Sequence, residues 1–294
     1  MRILLFILMQ VAVLILVSIV GSVLMTIFGV RISSGTYTGL LIMCAIMGCV
    51  GSVISLFMSK WMCKRAYGVQ VITAPRNARE QFLLNTIAQQ ARREGFAMPE
   101  VGIYESNDMN AFATGASKDG ALVAVSSALL YSMSEDELRG VLGHEMSHIA
   151  NGDMVTMCLL QGVLNTFVYF FSYLVAMAVS QVARNNDEEG GNASSFLLFH
   201  LVNTVFQIIF GILANIILMW FSRHREYRAD AGSAALEGRD RMIAALQALQ
   251  RQPTMNQPGQ FQALCINGGG NLSELFMSHP PLAKRIAALR QLNG

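Results

Sequence analysis

Long apolar stretches alternate with long polar ones along the chain. Four stretches contain no Asp, Glu, Lys or Arg, namely residues 3–30, 32–59, 154–183 and 190–222. Each is longer than the roughly 20 residues that an α-helix needs to cross a bilayer. The pattern therefore predicts four membrane-spanning helices in two hairpins, 3–59 and 154–222, with the polar segments 60–153 and 223–294 outside the membrane.

The first apolar stretch has an alternative interpretation as a cleaved secretory signal. Its length exceeds the roughly 7 to 15 apolar residues of such a signal, and a second span follows after a short loop, so a membrane helix is favoured. The loops inside the two hairpins hold few basic residues, Arg31 and Arg184, whereas Lys and Arg crowd the other helix ends. The positive-inside rule then places both termini and both polar segments in the cytoplasm.

The two polar segments are predicted to form one domain of mixed α and β structure. Neither has an obvious complete core alone, and together they have the size of an ordinary domain. Periodicity predicts helices over 79–93, 239–250 and 282–289, and short strands over 101–104 and 121–126. Gly95 is expected to end the first of these helices. A stretch rich in Gln, Gly and Pro, 252–271, is expected to form a loop.

The composition supports a membrane protein and excludes some functions. Charged residues make up 14% of the 294 residues and hydrophobic residues 53%, where an ordinary soluble domain carries about 25% charge. The net charge of +2, with dispersed basic residues, excludes a nucleic-acid surface, which needs clustered Lys and Arg. Five cysteines without a CxxC pair indicate neither a disulfide framework nor a zinc ribbon, so we interpret them as small buried hydrophobic residues.

The pattern His-Glu-x-x-His, typical of a metal site, occurs late in a predicted helix. Ser134 and Glu137 have the spacing of a capping box, and Gly152 is a plausible end for the helix. His144 and His148 are about one turn apart, so their imidazoles lie on one face and can bind one ion together.

Glu145 lies about 100° around the helix from His144. There its carboxylate can reach a metal-bound water without binding the metal itself. Chance would produce this five-residue pattern in a chain of this length roughly once in a hundred cases, and its position in a capped amphipathic helix favours function over chance. We therefore predict a zinc site with His144 and His148 as ligands and Glu145 as the general base.

A tetrahedral zinc site that keeps one water needs a third protein ligand. The candidates are His200, His224, Glu226, Asp230 and His279. His200 lies inside the fourth predicted span, where a polar contact within the helix bundle is expected. His279 precedes two prolines, which exclude it from a helix. It is either a structural residue near the surface or a hydrogen-bond donor to the oxyanion of a tetrahedral intermediate.

Glu226 is the favoured third ligand. Glu226 and Asp230 are four residues apart on the helix that continues out of the fourth span, so one carboxylate can bind zinc while the other braces a ligating imidazole. In the alternative, both form surface ion pairs with the neighbouring arginines. His148 precedes the third span and Glu226 follows the fourth by roughly 10 Å of helix each, so both are expected just above the cytoplasmic membrane surface.

Several motifs together resemble a known family. The sequence reads GHEMSHIANGD over 143–153, SRHREYRAD over 222–230 and SHPP over 278–281, and NAFATG lies at 110–115. This set, in this order, resembles the HtpX heat-shock membrane proteases, whose wider family includes the CAAX prenyl endopeptidases. The likeness covers nearly the whole chain, including the four-span layout.

The resemblance implies a fold and a set of ligands. The fold would be a mainly α membrane protein, with four transmembrane helices and a cytoplasmic α+β zincin-like (gluzincin) catalytic domain formed from two chain segments. One Zn²⁺ per chain would be held by His144, His148 and Glu226. Glu145 would act as the base, and Asp230 would brace a ligand.

The resemblance also implies a substrate site and a cellular role. Asn110, Ala111 and Phe112 would line the substrate, and His279 would be the transition-state histidine. The protein would be a multi-pass protein of the bacterial inner membrane that cleaves misfolded or damaged membrane proteins and has a tendency to cleave itself. The sequence leaves open whether copies of the chain form a homo-oligomer.

Three rival functions are less consistent with the pattern. A protease for prenylated peptides needs a larger chamber than four spans can obviously enclose. Cleavage within the bilayer conflicts with the polar segment 134–140 that leads to the metal motif. A noncatalytic regulator or metal transporter is expected to carry ionisable groups within the spans, where only His200 qualifies.

Overall fold

A computed structural model describes Ile19 and residues 34–186, 192–251 and 277–292. The first predicted span, apart from Ile19, and the predicted loop 252–271 lie outside the described residues. The chain divides into two compact units, each built from two separate segments. One comprises Met1–Ile54 and Cys158–Leu218, and the other comprises Ser55–Met157 and Met219–Gly294.

The described residues are mostly helical and contain one small sheet. The helices are α1 (Ser34–Tyr67), α2 (Ala78–Glu94), α3 (Ser127–Ser132), α4 (Glu135–Asn151), α5 (Asp153–Asn186), α6 (Asn192–Glu237), α7 (Arg239–Gln250) and α8 (Leu282–Gln291). The strands are β1 (Gln70–Val71), β2 (Glu100–Tyr104), β3 (Ala111–Thr114) and β4 (Leu122–Ser126).

Three helices in the described part of the chain are long and apolar enough to cross a membrane. The candidate segments are Tyr37–Tyr67, Asp153–Arg184 and Ser195–Glu237, which contain most or all of the second, third and fourth predicted spans. Helices α1 and α6 continue well past their charge-free stretches, and that of α6 ends at Ser222. A polar extension of this kind carries Glu226 on the same helix as an apolar span.

Close helix packing within the first unit depends on a glycine. A Cβ atom added to Gly48 would lie 2.7 Å from the Thr166 backbone nitrogen and 2.8 Å from the Gly162 carbonyl oxygen. Both are backbone atoms, so no side-chain rotation could remove the clash. Small residues at helix contacts are what allow apolar helices to approach closely in a membrane.

The sheet has the strand order β1-β2-β4-β3. Strands β2 and β4 are parallel, with Val101 opposite Val123, and both outer pairs are antiparallel. Strand β4 is buried along its whole length, which explains its continuous apolar sequence. Strand β3 is an edge strand in the described part of the sheet and packs against α4.

One hydrophobic core fills the space between the sheet and helices α2, α4, α7 and α8. Representative fully or nearly fully buried members are Leu83, Ile87, Val123, Leu142, Met146, Leu246 and Leu289. The apolar residues that recur every three or four positions, from which these helices were predicted, are thus the residues that face the core. Their contacts fix α4 on several sides.

Most of the predicted elements of the polar segments are confirmed. Gly95 ends α2 in the left-handed conformation at φ 74°, and α7 spans the predicted 239–250. The Ser134 and Glu137 capping box is present in both directions. The residues alone did not predict strands β1 and β3, because runs of two and four residues are too short to show a period of two.

The prediction that the cysteines are small buried residues is confirmed for two of the four described cysteines. Cys44 and Cys63 are buried, and Cys49 and Cys158 are partly buried. The described cysteines are free thiols.

Replacing Gly48 by Ala is expected to destabilise the protein by roughly 1–3 kcal/mol, because the methyl group meets fixed backbone. Gly51 is the matched control on the same helix, since an added Cβ there has nothing within 4 Å. Gly51→Ala should be neutral or stabilising by up to about 1 kcal/mol. Thermal unfolding in detergent measures both, and equal melting temperatures for the two variants would contradict the packing account.

Candidate metal centre

Helix α4 brings two imidazoles together at its buried end. The Nε2 atoms of His144 and His148 lie 3.1 Å apart, and the rings stand nearly perpendicular, with an interplanar angle of 84°. His144 is 1% exposed. The Gly152 residue that ends α4 adopts the left-handed conformation at φ 66°, as its position in the sequence predicted.

Helix α6 adds Glu226 to the pair. Glu226 Oε2 lies 3.3 Å from His144 Nε2, and Glu226 Oε1 lies 3.2 Å from His148 Nε2. Ligands at the corners of a tetrahedron with bonds of about 2.0–2.1 Å are separated by roughly 3.3 Å. The three residues therefore have the spacing of a tetrahedral metal site, and they form a possible metal-binding group in the described residues.

Small residues allow α6 to approach α4 closely. A Cβ atom added to Gly143 would lie 2.7 Å from Ser233 Oγ, and one added to Gly232 would lie 2.5 Å from Ser147 Oγ. The Ser233 hydroxyl donates a hydrogen bond of 2.8 Å to the Gly140 carbonyl oxygen. This contact places Glu226, one to two helical turns earlier in α6, against the histidines.

The surroundings of Glu226 favour a cation. Its side chain is fully buried, and neither carboxylate oxygen has a hydrogen-bond partner of suitable geometry among the described residues. A buried carboxylate without such partners is costly unless a positive charge balances it. Burial opposes ionisation, but the charges of His279 and then His148 outweigh it and hold the pKa of Glu226 well below its usual range.

The same charges act on the imidazoles. Burial alone would lower the pKa of His148, but the Glu226 charge and the hydrogen bond to Asp153 raise it to about 10. The pKa of His144 is also raised: burial and the Arg285 charge lower it, while the hydrogen bond to Asp230 and the charge of Glu226 outweigh them. The site thus attracts positive charge at the point where the ligand atoms meet, which fits a divalent metal ion.

Each imidazole is held by a carboxyl group on its other nitrogen. His144 Nδ1 lies 2.9 Å from Asp230 Oδ1, and His148 Nδ1 lies 2.6 Å from Asp153 Oδ2. With the Nδ1 atoms occupied in this way, both Nε2 atoms face the ligand position. The structure thus brings Asp230 to the position predicted for it, while Asp153 was not predicted.

Arg285 from α8 contacts both Asp230 and Glu226, and a role for it was not predicted either. Its Nη2 and Nε atoms donate hydrogen bonds of 2.5 and 2.8 Å to the two Asp230 carboxylate oxygens, and its Nη1 atom lies 3.4 Å from Glu226 Oε2. Burial of Asp230 would raise its pKa, but the charge and hydrogen bonds of Arg285 outweigh that effect and lower it to about 2.

The sequence does contain a signal for Arg285. Leu282, Ile286 and Leu289 form the apolar face of α8, and Arg285 has the spacing of that same face. The arginine is 0% exposed. A charged residue on a core-facing stripe is rarely buried unless it is paired, so this position indicates a buried partner carboxylate.

Glu145 is buried beside His144, His148 and Glu226. It is 4% exposed and is not a member of the metal-binding group. Burial raises its pKa, and the charges of His144 and then His148 oppose that shift. A raised pKa is appropriate for a carboxylate that must accept a proton near neutral pH.

The other three histidines considered as a third ligand lie at different distances from the site. His279 lies next to the triad, with Nδ1 2.6 Å from Glu226 Oε2. His224 is exposed, and its Nδ1 lies 2.9 Å from the Trp220 carbonyl oxygen on its own helix. His200 belongs to the other compact unit and contacts the ring of Phe196.

The Asn110 segment leads into the edge strand β3. The Asn110 backbone N–H donates a hydrogen bond of 3.0 Å to Ser126 Oγ, and the Asn110 carbonyl oxygen accepts one of 2.8 Å from the Ser126 backbone N–H. Ala111 and Phe112 are buried and pair with β4. Since β3 packs against α4, these residues belong to the same unit as the histidines.

A buried group of two imidazoles and a carboxylate that could hold a metal ion lies beside a second buried glutamate, in a chain with helices apolar enough to span a membrane. This combination is typical of a membrane-bound metalloprotease. The sequence matches the description "Peptidase family M48" over residues 77–293, and the chain belongs to that family. Membership implies a metal ion, and the residues described above fit one.

Individual relatives agree with the family. The chain is 56% identical to a Protease HtpX from Tolumonas auensis, over 99% of both sequences. It is also 56% identical to a Protease HtpX from Aeromonas hydrophila, over 98% of this chain and 99% of that protein. These matches confirm the resemblance found in the motifs.

A solved structure shows the same fold. The crystal structure of S. mikatae Ste24p matches with a TM-score of 0.60 at 19% identity. The match covers 94% of this chain and 66% of the Ste24p chain. The fold is therefore similar to that of Ste24p. The number of four spans is not tested, because the first predicted span, apart from Ile19, lies outside the described residues.

Replacing Arg285 by Met is expected to destabilise the protein by roughly 3–5 kcal/mol, because it leaves buried carboxylates without their cation. Arg290 is the matched control, an exposed arginine on the same helix, and Arg290→Met should change stability by no more than about 0.5 kcal/mol. Thermal unfolding in detergent compares the two. A double Asp230→Asn, Arg285→Met variant should recover part of the loss, and equal stability of both single variants would contradict the pairing.

Proposed function

We propose that this protein is a zinc-dependent endopeptidase of the bacterial inner membrane that hydrolyses misfolded or damaged membrane proteins at the cytoplasmic face. The observation that carries the proposal is the convergence of the His144, His148 and Glu226 ligand atoms, which all lie within 4.8 Å of one another. Two nitrogen ligands and one oxygen ligand are a typical catalytic zinc set, which leaves one position for water or substrate.

The proposed roles follow from the surroundings of each residue. His144, His148 and Glu226 hold the zinc ion, which when bound acidifies water and polarises the substrate carbonyl. Glu145 takes the proton of the attacking water and delivers it to the departing amine. Its burial supports this role, because a carboxylate with a raised pKa exchanges protons readily near neutral pH.

His279 is proposed to stabilise the oxyanion that forms on the substrate carbonyl. Its position beside Glu226 supports this role, because a donor must lie within hydrogen-bond reach of the reacting carbonyl. The two prolines that follow it, Pro280 and Pro281, restrict the backbone on which it sits. Asp230 is proposed to hold His144 in the orientation that ligation requires.

The substrate is proposed to bind in an extended conformation along β3. An edge strand presents backbone hydrogen-bonding groups that a peptide can pair with, independently of the peptide's side chains. Ala111 and Phe112 begin this strand and Asn110 directly precedes it, and the strand packs against the helix that carries the metal motif. Recognition through the backbone suits a protease that must accept many unfolded sequences.

The cytoplasmic placement is proposed from charge. The polar ends of α1 and α6 carry Lys64, Arg65, Arg223, Arg225 and Arg228, whereas Arg184 near the end of α5 is followed in the sequence by the acidic residues 187–189. The positive-inside rule then puts segments 60–153 and 223–294 in the cytoplasm as one catalytic domain. Substrates would be membrane proteins whose cytoplasmic parts have unfolded.

Glu145→Gln is expected to lower the cleavage rate by about 10²–10⁴-fold, because the amide cannot accept the proton. Zinc content should remain one per chain, since Glu145 is not a ligand. Glu135→Gln is the matched control, an exposed glutamate on the same helix, and it should cleave at the normal rate. Cleavage of an unfolded membrane protein in proteoliposomes measures the rates, and a zinc-loaded Glu145→Gln protein with normal activity would overturn the assignment.

Glu226→Ala is expected to lose bound zinc after purification, because two ligands remain of three. His224→Ala should keep its zinc, since the exposed His224 imidazole bonds within its own helix. Metal analysis of both proteins, with activity restored to the unsubstituted protein by zinc after chelation, tests the ligand set. Full zinc content in Glu226→Ala would show that another residue is the third ligand.

Substrate class is tested separately from chemistry. An unfolded membrane protein and a farnesylated peptide are offered to the same purified, zinc-loaded protein. Preferential cleavage of the unfolded protein supports the proposal, and preferential cleavage of the farnesylated peptide contradicts it.

A further inference from the structure

Asp153 lies against a proposed metal ligand, although the sequence analysis gave it no role. Its Oδ2 atom lies 2.6 Å from His148 Nδ1, and the residue is 2% exposed. The opposite nitrogen of the same ring, Nε2, lies 3.2 Å from Glu226 Oε1. One edge of the imidazole is therefore held by Asp153 while the other faces the ligand position.

The backbone conformation at Gly152 makes this contact possible. In an uninterrupted helix, residues five apart lie about 140° apart around the axis and do not face each other. Gly152 instead adopts the left-handed conformation at φ 66°, which other residues rarely adopt. The chain turns there, and Asp153 returns towards His148 as the first residue of α5.

The two proposed histidine ligands are held in parallel ways by different helices. Asp230 on α6 contacts His144 Nδ1 at 2.9 Å, and Asp153 on α5 contacts His148 Nδ1. A carboxyl group at this position fixes the tautomer and orientation of the ring and makes its other nitrogen a better ligand. Asp230 contacts both His144 and Arg285. A change at Asp230 would therefore disturb two contacts, whereas a change at Asp153 tests its contact with His148.

We propose that Asp153 is a positioning residue of the metal centre: its carboxylate accepts a hydrogen bond from His148 Nδ1–H and so directs Nε2 at the metal. The inference rests on the proposed binding of zinc by His144, His148 and Glu226. It adds that one ligand is oriented by the first residue of the helix that contains the third predicted span.

A purely structural role for Asp153 predicts something different. An acidic residue in the first turn stabilises any helix through the helix dipole. Asp240 provides the matched control, because it is the acidic first-turn residue of α7 and is exposed. A dipole effect would change stability in both variants, whereas a positioning effect would change metal affinity only at Asp153.

The test measures zinc affinity of the full-length protein in detergent, by competition with a chelating indicator. All variants carry Glu145→Gln to prevent self-cleavage. Asp153→Ala should weaken zinc binding by about 10–100-fold. Asp153→Asn should weaken it less, because the amide oxygen still accepts from Nδ1, and Asp240→Asn should leave it unchanged.

A spectroscopic measurement guards against a folding defect. Cobalt(II) absorption reports the ligand geometry directly, and Asp153→Asn, which keeps the size of the side chain, should shift the cobalt bands while its melting temperature stays near that of Asp240→Asn. Unchanged zinc affinity and cobalt bands in both Asp153 variants would overturn the inference. Equal losses in Asp153→Asn and Asp240→Asn would also overturn it.

Failure of this inference can be separated from failure of the metal site. Glu226→Ala is included in the same titration. If Glu226→Ala binds zinc as tightly as its parent, the proposed ligand set is wrong. If Glu226→Ala loses zinc and Asp153→Ala does not, the ligand set stands and only the role of Asp153 is wrong.

Discussion

The fully buried carboxylate of Glu226 is the constraint on which the site depends. A charge removed from water in this way is stable only where positive charge meets it. Here the nearest groups are two imidazoles, a third at His279, and the guanidinium of Arg285. The packing of α6 against α4 holds the buried Glu226 carboxylate next to the imidazoles. The folded protein therefore favours a cation at this position before any ion binds.

The carboxyl groups around the ligands outnumber the permanent positive charges. Glu145, Glu226, Asp230 and Asp153 lie at or beside the imidazoles, and Arg285 is the buried arginine among the described residues that faces them. A divalent ion brings this group closer to neutrality. The same imbalance explains why Arg285 lies on an otherwise apolar helix face, since without it Asp230 would be a buried acid with no permanent positive charge beside it.

Two backbone features transmit the fold to the chemistry. The glycine and serine contacts between α4 and α6 allow the close approach that brings Glu226 to the histidines. The left-handed turn at Gly152 ends one helix and begins the next, so that Asp153 faces back towards the metal motif. Both features involve residues with small side chains. The first sets the distance from Glu226 to the histidines, and the second sets the distance from Asp153 to His148.

The sequence by itself determined the elements with a strong period and the chemistry with a fixed spacing. Composition predicted the apolar stretches. Spacings along single helices predicted the capped helix of Ser134 to Gly152, the His144 and His148 pair, and Glu226 as the third ligand. The tertiary structure alone decided that β3 lies at the sheet edge, that Arg285 pairs with Asp230 and that Asp153 meets His148. These contacts join distant segments or cross a turn, and no local periodicity encodes which buried charges will meet.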